Sequence, residues 1–141
     1  MVDFLYEAHS GWRWILILGT VALAVFFAYA LVTRQTTAPQ ETRALKLWAG
    51  IMDMQLLLGV LLAGVYILGL DEGRSWYSAL IGHLTLGILA VVAAHTPAIY
   101  SRLNGDPTPQ VRRIMGLALP VIVFITMWLG VAAIDRSLFS T

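Results

Sequence analysis

The sequence contains no cysteine and very little charge. Without cysteine it cannot form disulfides, use a thiolate nucleophile or hold an iron–sulfur cluster through its own thiolates. Charged residues make up 12% of the chain, against the ~25% that is usual in soluble domains. The net charge is +1 and no basic tract is present, which argues against nucleic acid as a partner.

Motifs of hydrolytic enzymes are also missing. The sequence has no nucleophile elbow, no glycine-rich phosphate loop and no HExxH zinc motif. It shows no internal repeat of the kind that transporters commonly carry. We therefore expect no enzymatic activity from this chain alone, although it could serve as a subunit of a membrane oxidoreductase.

Hydrophobic residues are abundant, at 59% of the chain with a mean hydropathy of +0.79. They form four runs, each near the ~20 residues that a bilayer crossing needs. The runs predict transmembrane helices at about 12–34, 46–70, 76–102 and 113–135. Short polar connections join them, so we expect an all-α, up-down-up-down antiparallel four-helix bundle forming one transmembrane domain over 1–141. The segment before the first run contains Asp3 and Glu7 and no base, unlike a signal peptide.

Basic residues are unequally shared between the two sides of the predicted bundle. One side carries Arg34, Arg43, Lys46, Arg102, Arg112 and Arg113. The other side carries Arg13, Arg74 and Arg136. The richer side is expected to face the cytoplasm, which places both termini outside. Tryptophans near the helix ends are expected to mark the two membrane interfaces, with Trp12, Trp14 and Trp76 on the outer side and Trp48 on the inner side.

The third run carries two histidines, His83 and His95. Twelve residues of helix separate them by about 18 Å, so they belong to two different sites. Asp53 is seven residues from Lys46, and His95 is seven residues from Arg102, so both lie about 10 Å inside the cytoplasmic boundary. The sequence therefore predicts a contact between Asp53 and His95, either as a structural hydrogen bond or as part of a binding site.

His9 is the remaining candidate on the outer side. A count along straight helices places His9 about 9 Å further out than His83, which argues against both binding one iron unless helix 1 tilts or unwinds at Ser10-Gly11. Tyr66 matches the depth of His83 better and is a candidate hydrogen-bond partner. The alternatives are that His83 is a packing residue and that His9 is a solvated residue at the interface.

Histidines facing each other in a membrane four-helix bundle commonly hold haem b. We therefore take His83 and His95 as candidate metal ligands. The wider set of candidate cofactor-binding residues is His83, His95, His9, Met54 and Asp53. Met52 and Met54 flank Asp53 and place thioethers at nearly the same level, although methionine more often fills gaps in a core.

Three segments carry a family resemblance: HSGWRW at the start, MDMQLLLGVLL in the second run, and AAHTPAIYSRL around His95. They resemble a group of small four-helix bacterial integral membrane proteins of the cytochrome b-like type, which are largely uncharacterised. The resemblance implies haem between the second and third helices. This chain departs from the group at one position. The group commonly has histidine where this chain has Asp53, and aspartate is a poor haem ligand. Haem would then need Met54 or Met52 as second ligand, or would lie between His83 and His9.

Together these features predict a cytochrome b-like membrane subunit of a bacterial redox complex, which holds haem b or borders a quinone or proton path. The alternative is a cofactor-free scaffold or assembly subunit of a larger membrane complex. The expected partners are the lipid bilayer and other membrane subunits or further copies of the chain. The expected location is the bacterial inner membrane.

Overall fold

Four antiparallel helices make up the part of the chain that a computed structural model describes, residues 2–69 and 75–132. They are α1 (Val2–Thr33), α2 (Ala38–Gly69), α3 (Ser75–Asn104) and α4 (Pro109–Ala132), and no strand occurs within these two ranges. Helix α1 packs against α2 and α4, and α3 packs against the same two helices, so α1 and α3 lie diagonally opposite each other. The predicted all-α four-helix bundle is confirmed.

The first two helices begin earlier than their hydrophobic runs. Helix α1 starts at Val2 instead of about residue 12, and α2 starts at Ala38 instead of about residue 46. The early start of α2 has a local cause, because Gln40 accepts a 2.9 Å hydrogen bond from the backbone N–H of Thr37. This is one half of a capping box, which stabilises the first turn of a helix. The predicted ends of α2 at residue 70 and of α4 at residue 135 lie outside the described ranges.

All four helices are long and apolar enough to cross a membrane. Large hydrophobic side chains are exposed on each of them, including Leu18, Leu57, Ile81 and Ile125. Continuous exposed apolar surface on every helix is costly in water and favourable in lipid. The architecture therefore fits a multi-pass membrane protein.

Buried side chains fill the space where α1 meets α2 and α4. Trp48 is buried, and its indole N–H donates a 3.0 Å hydrogen bond to Thr20, whose hydroxyl donates to the Leu16 carbonyl. The ring of Trp48 therefore packs between two helices and does not face lipid, and its depth in the membrane stays a prediction. The fully buried ring of Phe27 lies against Gly116, where a Cβ atom would overlap it.

Candidate functional site

His9 and His83 meet across the interior of the bundle. Their ring centroids are 6.2 Å apart and their planes are inclined at 75°. His9 lies on α1 and His83 on α3, the two helices that are diagonally opposite. The bundle therefore brings together two imidazoles that are seventy-four residues apart in sequence.

This contact corrects the predicted offset of about 9 Å between the two histidines. Helix α1 is continuous through Ser10 and Gly11, so local unwinding does not explain it. The offset of about 9 Å assumes that Arg34 and Arg102 lie at the same depth. Arg34, however, follows the end of α1, whereas Arg102 lies inside α3. Residue counts also measure depth only when helix axes are parallel, and packed helices cross at an angle.

Each imidazole is held by a neighbouring helix. His83 Nδ1 is 2.8 Å from the Gly130 carbonyl of α4, an acceptor that requires the proton on Nδ1. The Gln55 amide nitrogen of α2 lies 3.3 Å from both ring nitrogens of His9 and donates to the His9 backbone carbonyl at 3.3 Å. The predicted partner of His83, Tyr66, has a side chain outside the part of the chain that the structure describes.

Glycine gives His9 room against α2. A Cβ atom at Gly59 would lie 3.0 Å from His9 Cε1, closer than nearly all side-chain contacts. The imidazole therefore lies almost on the α2 backbone. At Gly130 on α4 a Cβ atom would lie 3.6 Å from His83 Nδ1, an ordinary contact, so Gly130 matters to His83 through its carbonyl. The roles of Gln55, Gly59 and Gly130 are not predictable from the sequence, because nothing local marks which glycine or glutamine faces a histidine.

The predicted contact between Asp53 and His95 is present. His95 Nε2 is 2.9 Å from Asp53 Oδ1, which joins α2 to α3. Both side chains are exposed, 53% for Asp53 and 38% for His95. The pair therefore lies on the outer surface of the bundle and not in its core, a position that the depth count could not give.

The two methionines beside Asp53 point in different directions. Met52 is 3% exposed and belongs to the hydrophobic core, whereas Met54 is 40% exposed. Within the described residues the polar atom that contacts His95 is a carboxylate oxygen and not a thioether. In the same part of the chain, no group of three or more histidine or acidic side chains is gathered around a point that could hold a metal ion.

A buried ion cluster closes the end of the bundle where α2 and α4 begin. The carboxylate of Glu41 is fully buried and accepts hydrogen bonds from Arg113 Nε at 2.6 Å and Arg112 at 3.4 Å. The Thr36 hydroxyl donates to the same carboxylate at 2.6 Å. Arg112 also donates to the Pro107 carbonyl, so the cluster ties both connections at this end together. In the sequence the arginines serve as topology signals, and no local pattern identifies Glu41 as their partner.

We expect Asp53 and His95 to be energetically coupled. Asp53→Leu and His95→Leu should each lower the free energy of unfolding in detergent, and the double variant should lose less than the sum. Interhelical hydrogen bonds in membranes give coupling energies of about 0.6–1.7 kcal/mol. Pairing Asp53→Leu with Thr126→Val is a suitable control. Within the described residues the Thr126 hydroxyl donates to carbonyls of its own helix, so those losses should add. Additive losses for the Asp53 and His95 pair would contradict the contact.

Comparison with known proteins gives no assignment, since neither a family model, nor a curated protein, nor a solved structure matches this chain.

Proposed function

We propose that this protein is a cytochrome b-like membrane subunit that holds haem b between His9 and His83, within or beside a bacterial redox complex. The observation that carries the proposal is the meeting of two imidazoles from opposite helices in the middle of a four-helix bundle. Bundle cores are where membrane cytochromes place haem, and histidine is the usual axial ligand.

The spacing of the two rings fits a bis-histidine donor set. Two imidazoles that each place a nitrogen about 2 Å from one metal have ring centroids about 6 Å apart. The observed separation is 6.2 Å. The separation of the two rings therefore matches that of a bis-histidine site.

The hydrogen bond of His83 also fits. Histidines that bind a metal usually donate the other ring N–H to a carbonyl or carboxylate, which fixes the tautomer and the ring orientation. The Gly130 carbonyl accepts from Nδ1, which leaves Nε2 as the nitrogen with a free lone pair. His83 is therefore prepared to act as a ligand through one defined atom.

The ring of His9 is also held by a neighbouring helix, but its tautomer is less well defined than that of His83. The Gln55 amide holds the ring through its nitrogen, and in the described part of the chain the Gln55 carbonyl oxygen is buried without a hydrogen-bond partner. A His9 N–H directed at that oxygen would satisfy it and would free the other ring nitrogen for iron. Haem b at this position would supply one-electron transfer, and the protein would supply the ligands, their orientation and the apolar surroundings.

The second candidate function is that of a cofactor-free scaffold or assembly subunit. It is favoured by the Asp53 and His95 pair, which is exposed on the side of a membrane bundle and so suits contact with another chain. The quinone predicted from the sequence stays a prediction, without an assigned set of residues.

A reduced-minus-oxidised absorption spectrum of the purified protein is the direct test. We expect the absorption bands of a low-spin haem b, because His9 and His83 would each supply an imidazole ligand. The protein should be expressed with added haem precursor, so that a missing spectrum does not reflect missing haem. A wild-type protein that stays colourless under these conditions would reject the haem proposal and leave the scaffold function.

For location, we propose the bacterial inner membrane with both termini outside. The support is the excess of basic residues in the connections at residues 34–37 and 105–108 and in the adjoining turns. Reporter fusions at either terminus are expected to be active outside the cytoplasm, and fusions after Gln40 or Gly105 inside it. A cytoplasmic C terminus would contradict this topology.

A further inference from the structure

The outer surface where α2 meets α3 carries an ion pair that lipid cannot satisfy. Asp53 is the only acidic residue of the described ranges that lies away from the helix ends and the connections, and it is 53% exposed with its partner His95 at 38%. The exposed side chains next to it on its own helix, Met54 and Leu57, are apolar. Charged groups within a membrane normally face a partner or a wet cavity. An exposed pair in this setting indicates that something polar covers it.

The pair leaves one hydrogen-bonding atom free on each residue. The contact uses Asp53 Oδ1 and His95 Nε2. Within the described part of the chain, Asp53 Oδ2 and His95 Nδ1 make no hydrogen bond. With the imidazole protonated, Nδ1–H is a donor and the carboxylate oxygen is an acceptor. In that protonation state the surface presents one donor beside one acceptor.

The backbone at this surface is open to close approach. Gly50 lies one helical turn before Asp53 on the same face of α2 and is exposed, and a Cβ atom there would meet nothing within 4 Å. Another helix can therefore pack directly on α2 beside the ion pair.

We propose that this surface, centred on Asp53 and His95, is the two-fold interface between two copies of the chain. A two-fold axis along the membrane normal places each residue at the same depth in both copies and brings identical surfaces together. With both imidazoles protonated on both nitrogens, Asp53 Oδ2 of each copy then accepts a hydrogen bond from His95 Nδ1–H of the other. The four groups form a ring of alternating charge, and every free donor and acceptor is used.

Self-complementarity favours a second copy over an unlike partner. One donor and one acceptor satisfy each other across a two-fold axis, whereas a different protein would have to supply a matching donor and acceptor of its own. The inference does not depend on haem, since the His9 and His83 pair is a separate site on the same α3 helix.

Cysteine cross-linking in native membranes tests the interface, and the chain has no cysteine of its own to interfere. Leu57→Cys lies one turn from Asp53 on the same face, and Ile125→Cys on α4 is the matched control, because the two residues are 52% and 51% exposed. Under mild oxidation we expect Leu57→Cys to give a disulfide-linked product of twice the monomer mass and Ile125→Cys to give none. Equal yields at both positions, no product at Leu57→Cys, or a product with a different protein would each overturn the proposal.

The role of the ion pair is tested in the same Leu57→Cys background. Adding Asp53→Leu should lower the cross-linking yield about threefold to tenfold, the effect of losing two symmetric interhelical hydrogen bonds in a membrane. Exchanging the two residues, Asp53→His with His95→Asp, should restore the yield because the ring of alternating charge is rebuilt. A yield unaffected by Asp53→Leu would show that the pair does not hold the copies together.

Discussion

Replacing Glu41 with alanine is expected to destabilise the protein by about 3–5 kcal/mol, the cost of removing one partner from a buried ion cluster. The Glu41 side chain is 1% exposed, and those of Arg112 and Arg113 are 8% and 11% exposed. Without the carboxylate, two buried guanidinium groups would face each other with no opposite charge. Carbonyls at Pro107 and Thr36 would still accept hydrogen bonds from the arginines, but they would not neutralise them.

The measurement is the free energy of unfolding in mixed detergent micelles. Glu41→Gln should cost less than Glu41→Ala, because the amide oxygen still accepts a hydrogen bond from an arginine. Glu7→Ala is the matched control, since Glu7 is exposed near the start of α1 and its loss should change stability by no more than about 0.5 kcal/mol. If Glu41→Ala were as mild as Glu7→Ala, the cluster would contribute nothing to stability.

Replacing His83 with leucine is expected to abolish haem binding completely. The variant removes Nε2, the proposed ligand atom, and also the Nδ1–H that donates to the Gly130 carbonyl. Without His83, no imidazole on α3 would remain at this site to hold haem together with His9. His9→Leu should likewise abolish haem binding, because it removes the imidazole that α1 supplies.

The matched control is His95→Leu, which removes a histidine from the same α3 helix but from the outer surface. Its haem spectrum should equal that of the wild-type protein, because His95 contacts Asp53 and not the His9 and His83 pair. Far-ultraviolet circular dichroism should show the same helix content in every variant. Loss of the spectrum in His95→Leu with an unchanged spectrum in His83→Leu would move the cofactor to the inner side, with Met54 as the candidate second ligand.

The number and type of elements could be predicted from the sequence. Four apolar runs with short polar connections leave helices as the only structures that satisfy their own backbone in lipid. The start of α2 was also predictable, because Thr37 and Gln40 have the spacing of a capping box. Hydropathy alone predicts a start near residue 46, because the first turns of α2 are polar.

The candidate site was predictable only in part. A count along α2 and α3 brought Asp53 and His95 to one level, and they are in contact. The same kind of count failed for His9 and His83, whose rings are 6.2 Å apart. Counting gives a position along one helix, but the crossing of two helices decides which positions meet.

Burial and the direction of side chains were decided by the tertiary structure. Hydropathy and capping act within one segment, so sequence alone sufficed for four helices and for their order in the bundle. The rotation of each helix about its axis depends on packing against two neighbours, and this placed Asp53 and His95 on the outside and Trp48 in the core. The contacts of Glu41 with Arg112 and Arg113 have the same origin. Packing α4 beside α2 brings together residues about seventy positions apart.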